Sequence, residues 1–155
     1  MPSRRRPRPV RRPPQVAERR AVPFSTPPTL LLDTHAFLWY VSGSKHLSAR
    51  ARGAIEHPDA TRYVSAASAW ELAIKRQQGK LPESARFTPS LSAYLRRRGF
   101  TELPISADHG EAAGALPLHH RDPFDRLLIA QARLEGLEFV SNETLFDAYG
   151  VRRLW

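Results

Sequence analysis

Short, uninterrupted apolar runs alternate with helix-length segments along residues 29–155, and this alternation restricts the possible folds more than any other property of the sequence. Thr29-Leu30-Leu31-Leu32 is apolar on both faces of a strand, so it must be covered on both sides. It stops at Asp33, and Ala36 to Val41 continues as a helix broken by Ser42-Gly43-Ser44. Ser48 can cap a helix running to about His57, Thr61–Val64 reads as a second strand, and a helix from Ala66 to about Gln78 closes at Gly79. A helix near Ser90–Arg98, a short Leu103–Ser106 strand and a weaker helix near Ala107–Ala113 follow. Asp122 then stands at the cap and Pro123 at the first helical position of a helix that continues from Arg126 to Glu135 and ends at Gly136. Leu137–Val140 is a further strand, Glu143–Tyr149 a short helix and Val151–Trp155 an edge strand. Strand and helix in alternation predict an α/β fold with a mostly parallel sheet, right-handed crossovers and helical cover on both faces.

Residues 1–28 lie outside that pattern. They hold eight arginines against one acid, Glu18, so +7 of the chain's +9 charge sits there, together with eight of the 14 prolines. Proline at that density removes backbone donors and favours extended conformers, so this stretch is expected to be a disordered tail. It is either a basic arm that holds phosphates, or a solvated extension or a start codon placed too far upstream. Residues 29–155 are long enough for one sizeable core, which makes them a single domain.

The longest apolar run, Ala36 to Val41, has six residues, far short of the roughly 18 that suggest a membrane span. Residues 1–28 contain no apolar core of a secretory signal, so cytoplasmic residence is expected. The chain has no cysteine, which excludes disulfide frameworks, cysteine-ligated zinc and cysteine nucleophiles.

In a parallel α/β sheet, chemistry gathers at the carboxyl ends of the strands, and the acids of this chain fall there. Asp33 directly follows three leucines; its modest role is to cap the next helix. Glu71 lies in the opening turns of a helix, within Ser68-Ala69-Trp70-Glu71, which is also a capping-box pattern. Asp125 heads the stripe Leu128, Ile129, Ala132, so its carboxylate turns toward the sheet. Asp122 serves as cap, and Glu143 follows the last long strand in Ser141-Asn142-Glu143. Carboxylates gathered without cations repel and raise one another's pKa values, a conflict that a hard divalent ion resolves. Oxygen ligands without cysteine favour Mg²⁺ or Mn²⁺, and such ions suit phosphodiester hydrolysis.

Four segments resemble PIN-domain ribonucleases, and more narrowly VapC-type toxins of bacterial toxin–antitoxin pairs. They are Leu31-Leu32-Asp33-Thr34-His35, then Ser68 to Lys75 with Gly79-Lys80-Leu81, then His119 to Ala132 with Asp122-Pro123-Phe124-Asp125-Arg126, and Phe146 to Val151. The resemblance covers about residues 29–155. It implies a three-layer α/β/α sandwich, a pocket that binds Mg²⁺ or Mn²⁺, and RNA as substrate. Asp33, Glu71 and Asp125 match the family's catalytic and metal-binding acids, and Asp122 matches a supporting acid. Glu143 stands where the family more often has Asp as a metal ligand. An antitoxin protein that blocks the pocket, and homodimerisation, are implied in the same way. The arginine-proline tail is no part of the family pattern.

Lys75, Arg76, Lys80, Arg96, Arg97, Arg98 and Arg126 are exposed-looking basic positions. Lys75 and Arg126, close to Glu71 and Asp125 in sequence, are candidates to touch RNA, while Arg96–Arg98 suit a solvated helix face. Rival chemistries find less support. His119-His120 are adjacent and point apart, no Gly-x-Ser-x-Gly elbow exists, and no glycine-rich phosphate loop occurs. A phosphatase with an aspartyl nucleophile usually carries a second Asp two residues on, where this chain has His35. A non-catalytic PIN-like module binding RNA or protein is the alternative from another class.

Overall fold

The computed structural model describes residues 26–82, 85, 87 and 89–155. The expected disorder of residues 1–28 thus falls, for 1–25, outside the described residues.

Five strands, β1 (Thr29–Leu32), β2 (Thr61–Ser65), β3 (Thr101–Leu103), β4 (Glu138–Val140) and β5 (Arg152–Leu154), form one sheet in the order β3-β2-β1-β4-β5. Every neighbouring pair is parallel. β1 is central, and its apolar run is explained by the two cores it separates. Leu30 and Leu32 pack with Phe37, Ile55 and Leu95 on one face, while Leu31 packs with Leu128, Ile129 and Phe146 on the other. All three leucines are fully buried, each contributing about 1.5–3 kcal/mol of transfer free energy.

The connections are α1 (Thr34–Val41) and α2 (Ala49–Ile55), then α3 (Ala66–Gln77) and α4 (Leu91–Arg97), then α5 (Ala107–Ala115) and α6 (Pro123–Leu134). A 3-10 helix, Thr144–Tyr149, leads to β5. Ser48, Ser65, Ser90, Ser106 and Asp122 cap their helices through side-chain oxygens. Gly79 follows α3 at φ +69°, a left-handed turn that ends the helix without a Cβ clash. Among the described residues no helix is long and apolar enough to cross a membrane.

The third strand corrects the sequence reading by two residues. It spans Thr101–Leu103 rather than Leu103–Ser106, because Pro104 has no N–H to extend the ladder and Ser106 serves as the cap of α5. α5 itself runs two residues beyond the expected Ala113.

The sheet grows outward from β1 in both directions: β2 and β3 lie on one side, β4 and β5 on the other. The strand order reverses between β1 and β4, and the crevice at their carboxyl ends is the ligand-binding position of such sheets. Fully buried Gln131 holds α6 over this edge, accepting from the Ser65 hydroxyl and donating through Nε2 to the Pro104 carbonyl at 3.0 Å.

Candidate active site

Asp33 lies at the reversal point. Its amide donates to the Val140 carbonyl at 3.1 Å, and its Oδ1 accepts from the Ala36 amide at 2.6 Å, capping α1. Only 5 % of it is exposed. Burial raises its carboxyl pKa; hydrogen bonds from Ala36 and Ser141 and the nearby His35 pull the other way, while Glu71 adds repulsion. The cap and the buried acid are therefore one residue in two roles.

Thr34, the next residue, donates its hydroxyl to Ser68 Oγ at 3.0 Å in a buried contact that ties the start of α1 to α3. This settles what Ser68-x-x-Glu71 does. Ser65, not Ser68, caps α3, so Glu71 sits one turn past a packing contact and has no capping duty. Its Oε1 instead meets Lys75 Nζ at 2.7 Å.

Asp125 is in the first turn of α6 and half-buried. Burial first, then the charges of Asp122, Asp33 and Glu71, push its carboxyl up to about 7, against the opposing pull of Lys75. Glu71 on α3 thus acts on both aspartates, and Asp33 at the start of α1 acts on Asp125 at the start of α6. Asp122 accepts from the amides of Phe124 at 2.8 Å and Asp125 at 3.2 Å, so it fixes the helix end that presents Asp125.

His120 is the neighbour that spacing did not single out for this role. Its Nδ1 accepts from the Asp122 amide at 3.3 Å, and its Nε2 lies 3.3 Å from Asp125 Oδ2. Its backbone amide is anchored by the Tyr149 hydroxyl at 2.6 Å, which in turn donates to Pro117. Ser141 is the second addition: it is fully buried and hydrogen-bonds Asp33. A small polar residue after an apolar strand was its one sequence signal.

Two expected positions are placed differently. Arg126 is not exposed toward a substrate path. It is 9 % exposed, and its guanidinium donates to the carbonyls of Ala113, Gly114, Leu116, Pro117 and His120 at 2.7–3.4 Å. Both terminal nitrogens of the planar fork are thus committed to backbone carbonyls at the end of α5 and in the loop before α6 rather than turned toward a phosphate. Glu143 is exposed and caps the 3-10 helix, accepting from the Leu145 amide at 3.2 Å. Its charge is felt by Arg153 rather than by Asp33 or Asp125. Lys75 is three-quarters covered and occupied by Glu71, whereas Arg76 and Lys80 stay exposed.

The donor chemistry at this edge fits a hard divalent cation: carboxylate oxygens, with two carboxyl groups whose ionisation is opposed by burial and by neighbouring carboxylates. Among the described residues no three Asp, Glu or His side chains stand grouped tightly enough to hold one ion. Lys75 and His120 meanwhile supply the balancing contacts to Glu71 and Asp125.

Comparison with known proteins shows the family of the fold. The family model of the PIN domain matches residues 30–151. Ribonuclease VapC22 of Mycobacterium tuberculosis is 32% identical over 119 residues, covering 74% of this chain and 87% of that protein. Among solved structures, VapBC2 of Rickettsia felis bound to a promoter DNA fragment aligns with a TM-score of 0.57 at 16% identity, over 78% of this chain and 92% of its own. VapC20 of Mycobacterium tuberculosis, described as a toxin that cleaves the sarcin-ricin loop, aligns with a TM-score of 0.55 at 18% identity, over 79% and 95%. A toxin–antitoxin complex from Klebsiella pneumoniae aligns at 0.52 and 20% identity, over 74% and 87%.

Proposed function

The chain belongs to the PIN-domain family, and from that premise we propose that it is a Mg²⁺- or Mn²⁺-dependent endoribonuclease, the toxin of a toxin–antitoxin pair, acting in the cytoplasm. Its working domain is residues 29–155, with Asp33, Glu71 and Asp125 as the catalytic acids and Asp122 in support. The relative at 32% identity bears the name of a ribonuclease, and the solved complexes with similar folds pair such a chain with an antitoxin. A cognate antitoxin and self-association into a homodimer belong to the same proposal.

One observation carries the reading. Asp33 at the start of α1, Glu71 on α3 and Asp125 on α6 are far apart in the chain, yet Glu71 raises the carboxyl pKa of Asp33, and Asp33 and Glu71 both raise that of Asp125. A fold accepts that repulsion where the site is made for positive charge.

A bound divalent ion supplies charge neutralisation at the phosphate and lowers the pKa of water for in-line attack. Asp33, rigid through its cap and its Ser141 bond, would be the fixed ligand, with Asp125 and Glu71 completing the set. Asp122 and His120 hold Asp125 in place through the start of α6. Lys75, ion-paired with Glu71, would be the cation nearest this acid to meet the RNA backbone.

Antitoxin-free protein incubated with cellular RNA, with Mn²⁺ or with a chelator, tests the proposal. Cleavage that depends on Mn²⁺ and disappears in Asp33→Asn supports it; equal cleavage by wild type and Asp33→Asn contradicts it.

A further inference from the structure

Trp70 is 62% exposed, an unusual position for the largest apolar side chain. It is not loose on the surface. Its ring meets that of Phe124 edge-to-face, with centroids 4.9 Å apart and planes at 71°. That pair bridges α3 and α6 beside the acids, since Trp70 immediately precedes Glu71 and Phe124 immediately precedes Asp125. Phe124 is half-buried, and its backbone amide is held by donating to Asp122 Oδ1 at 2.8 Å. The indole is thus supported from one side by a held ring and open on the other.

Taking the ribonuclease reading as its basis, we infer that Trp70, braced by Phe124, is a stacking platform for a base of the RNA strand next to the scissile phosphate. An RNA single strand offers flat π-faces spaced along a charged backbone, and exposed aromatics beside a phosphate-binding site are how proteins hold such strands. The observations favour a base over an aliphatic partner surface for two reasons. Trp70 and Phe124 adjoin Glu71 and Asp125 in sequence, at the edge of a carboxylate pocket whose cation would draw the phosphate. The edge-to-face brace also sets the indole before binding, so little side-chain entropy is lost when a base stacks. Trp70 is a substrate-positioning residue in this scheme.

The test compares full-length wild type, Trp70→Ala and Trp70→Phe on a labelled single-stranded RNA of about 12 nucleotides, a length within the usual range of single-strand sites. Steady-state cleavage with Mn²⁺ gives KM and kcat, and light scattering gives the oligomeric state. Stacking loss predicts that Trp70→Ala raises KM about 5- to 100-fold, with kcat changed far less, while Trp70→Phe recovers most of the loss. The mass in solution stays that of wild type. Cleavage by Trp70→Ala with wild-type KM overturns the inference and leaves the ribonuclease reading standing. A change in mass that accompanies the loss also overturns it, because the ring would then belong to a subunit interface. Wild type that neither binds nor cleaves the oligonucleotide overturns both readings.

Discussion

The Asp33 amide donates to the Val140 carbonyl at 3.1 Å, joining the carboxyl end of β1 to that of β4 where the strand order reverses. Ser141, one residue beyond Val140, hydrogen-bonds the Asp33 carboxyl. The most buried acid of the site is therefore fixed by the topology of the sheet itself. Glu71 and Asp125 reach it on helices whose starts are set by other buried polar contacts, Thr34 to Ser68 and Ser65 to Gln131.

Asp125→Asn is expected to lower metal-dependent RNA cleavage by at least about 10²-fold, since even groups that only orient metal ligands cost 10–100-fold. The same change removes a charge opposed by burial and by three neighbouring acids. Metal-free Asp125→Asn should thus unfold at the same or a higher temperature than wild type at pH 8. Thermal denaturation alongside cleavage assays checks both halves.

The raised carboxyl groups give a pH dependence of definite sign. Asp125 holds its proton up to about 7 when folded, against 3.8 as its ordinary value, and Asp33 is shifted in the same direction. The folded state binds more protons across this window, so the stability these groups contribute is full below about 4 and is lost as pH rises through 7. Metal-free protein should gain stability from pH 8 to pH 5.5 in urea titrations. Saturating Mn²⁺, which competes with those protons, should stabilise it more at pH 8 than at pH 5.5.

Much of the fold was legible because its local signals agree with one another. Three leucines followed by an acid mark a strand buried on both faces, and Asp122-Pro123 marks the start of α6 to the residue. The acids could be placed near strand ends on the same grounds. Long-range polar contacts were not legible. Ser68 looked like half of a capping box until its partner proved to be Thr34, 34 residues away. Arg126 carried the pattern of an exposed cation beside an acid, and nothing local reveals that five carbonyls, two at the end of α5 and three in the loop after it, converge on it. His120 reaches Asp125 only because Tyr149, from the far end of the chain, holds its backbone.

Arg126 accordingly should behave as a folding residue. Arg126→Ala leaves a cluster of carbonyls without donors and is expected to cost on the order of 3 kcal/mol, since hydrogen bonds to a charged group count about 1.5–3 kcal/mol each and water repays part. Denaturant unfolding measures this. A variant as stable as wild type but deficient in RNA binding would return Arg126 to the substrate path.

Residues 29–155 alone should retain the metal-dependent cleavage of the full chain within about twofold, a margin below 0.5 kcal/mol, because every acid and core contact described lies within them. Side-by-side kinetics of the two proteins decide it; loss of cleavage on removing residues 1–28 would assign the arginine-rich tail a part in binding RNA.

Convergence of separate carboxylates on one divalent ion is the central claim, and calorimetric titration with Mn²⁺ tests it most directly. Wild type should bind Mn²⁺, Asp33→Asn, Glu71→Gln and Asp125→Asn should each weaken binding about tenfold or more, and Glu143→Gln, which alters only an exposed cap, should bind as wild type does. Undiminished Mn²⁺ affinity in all three pocket variants would contradict it.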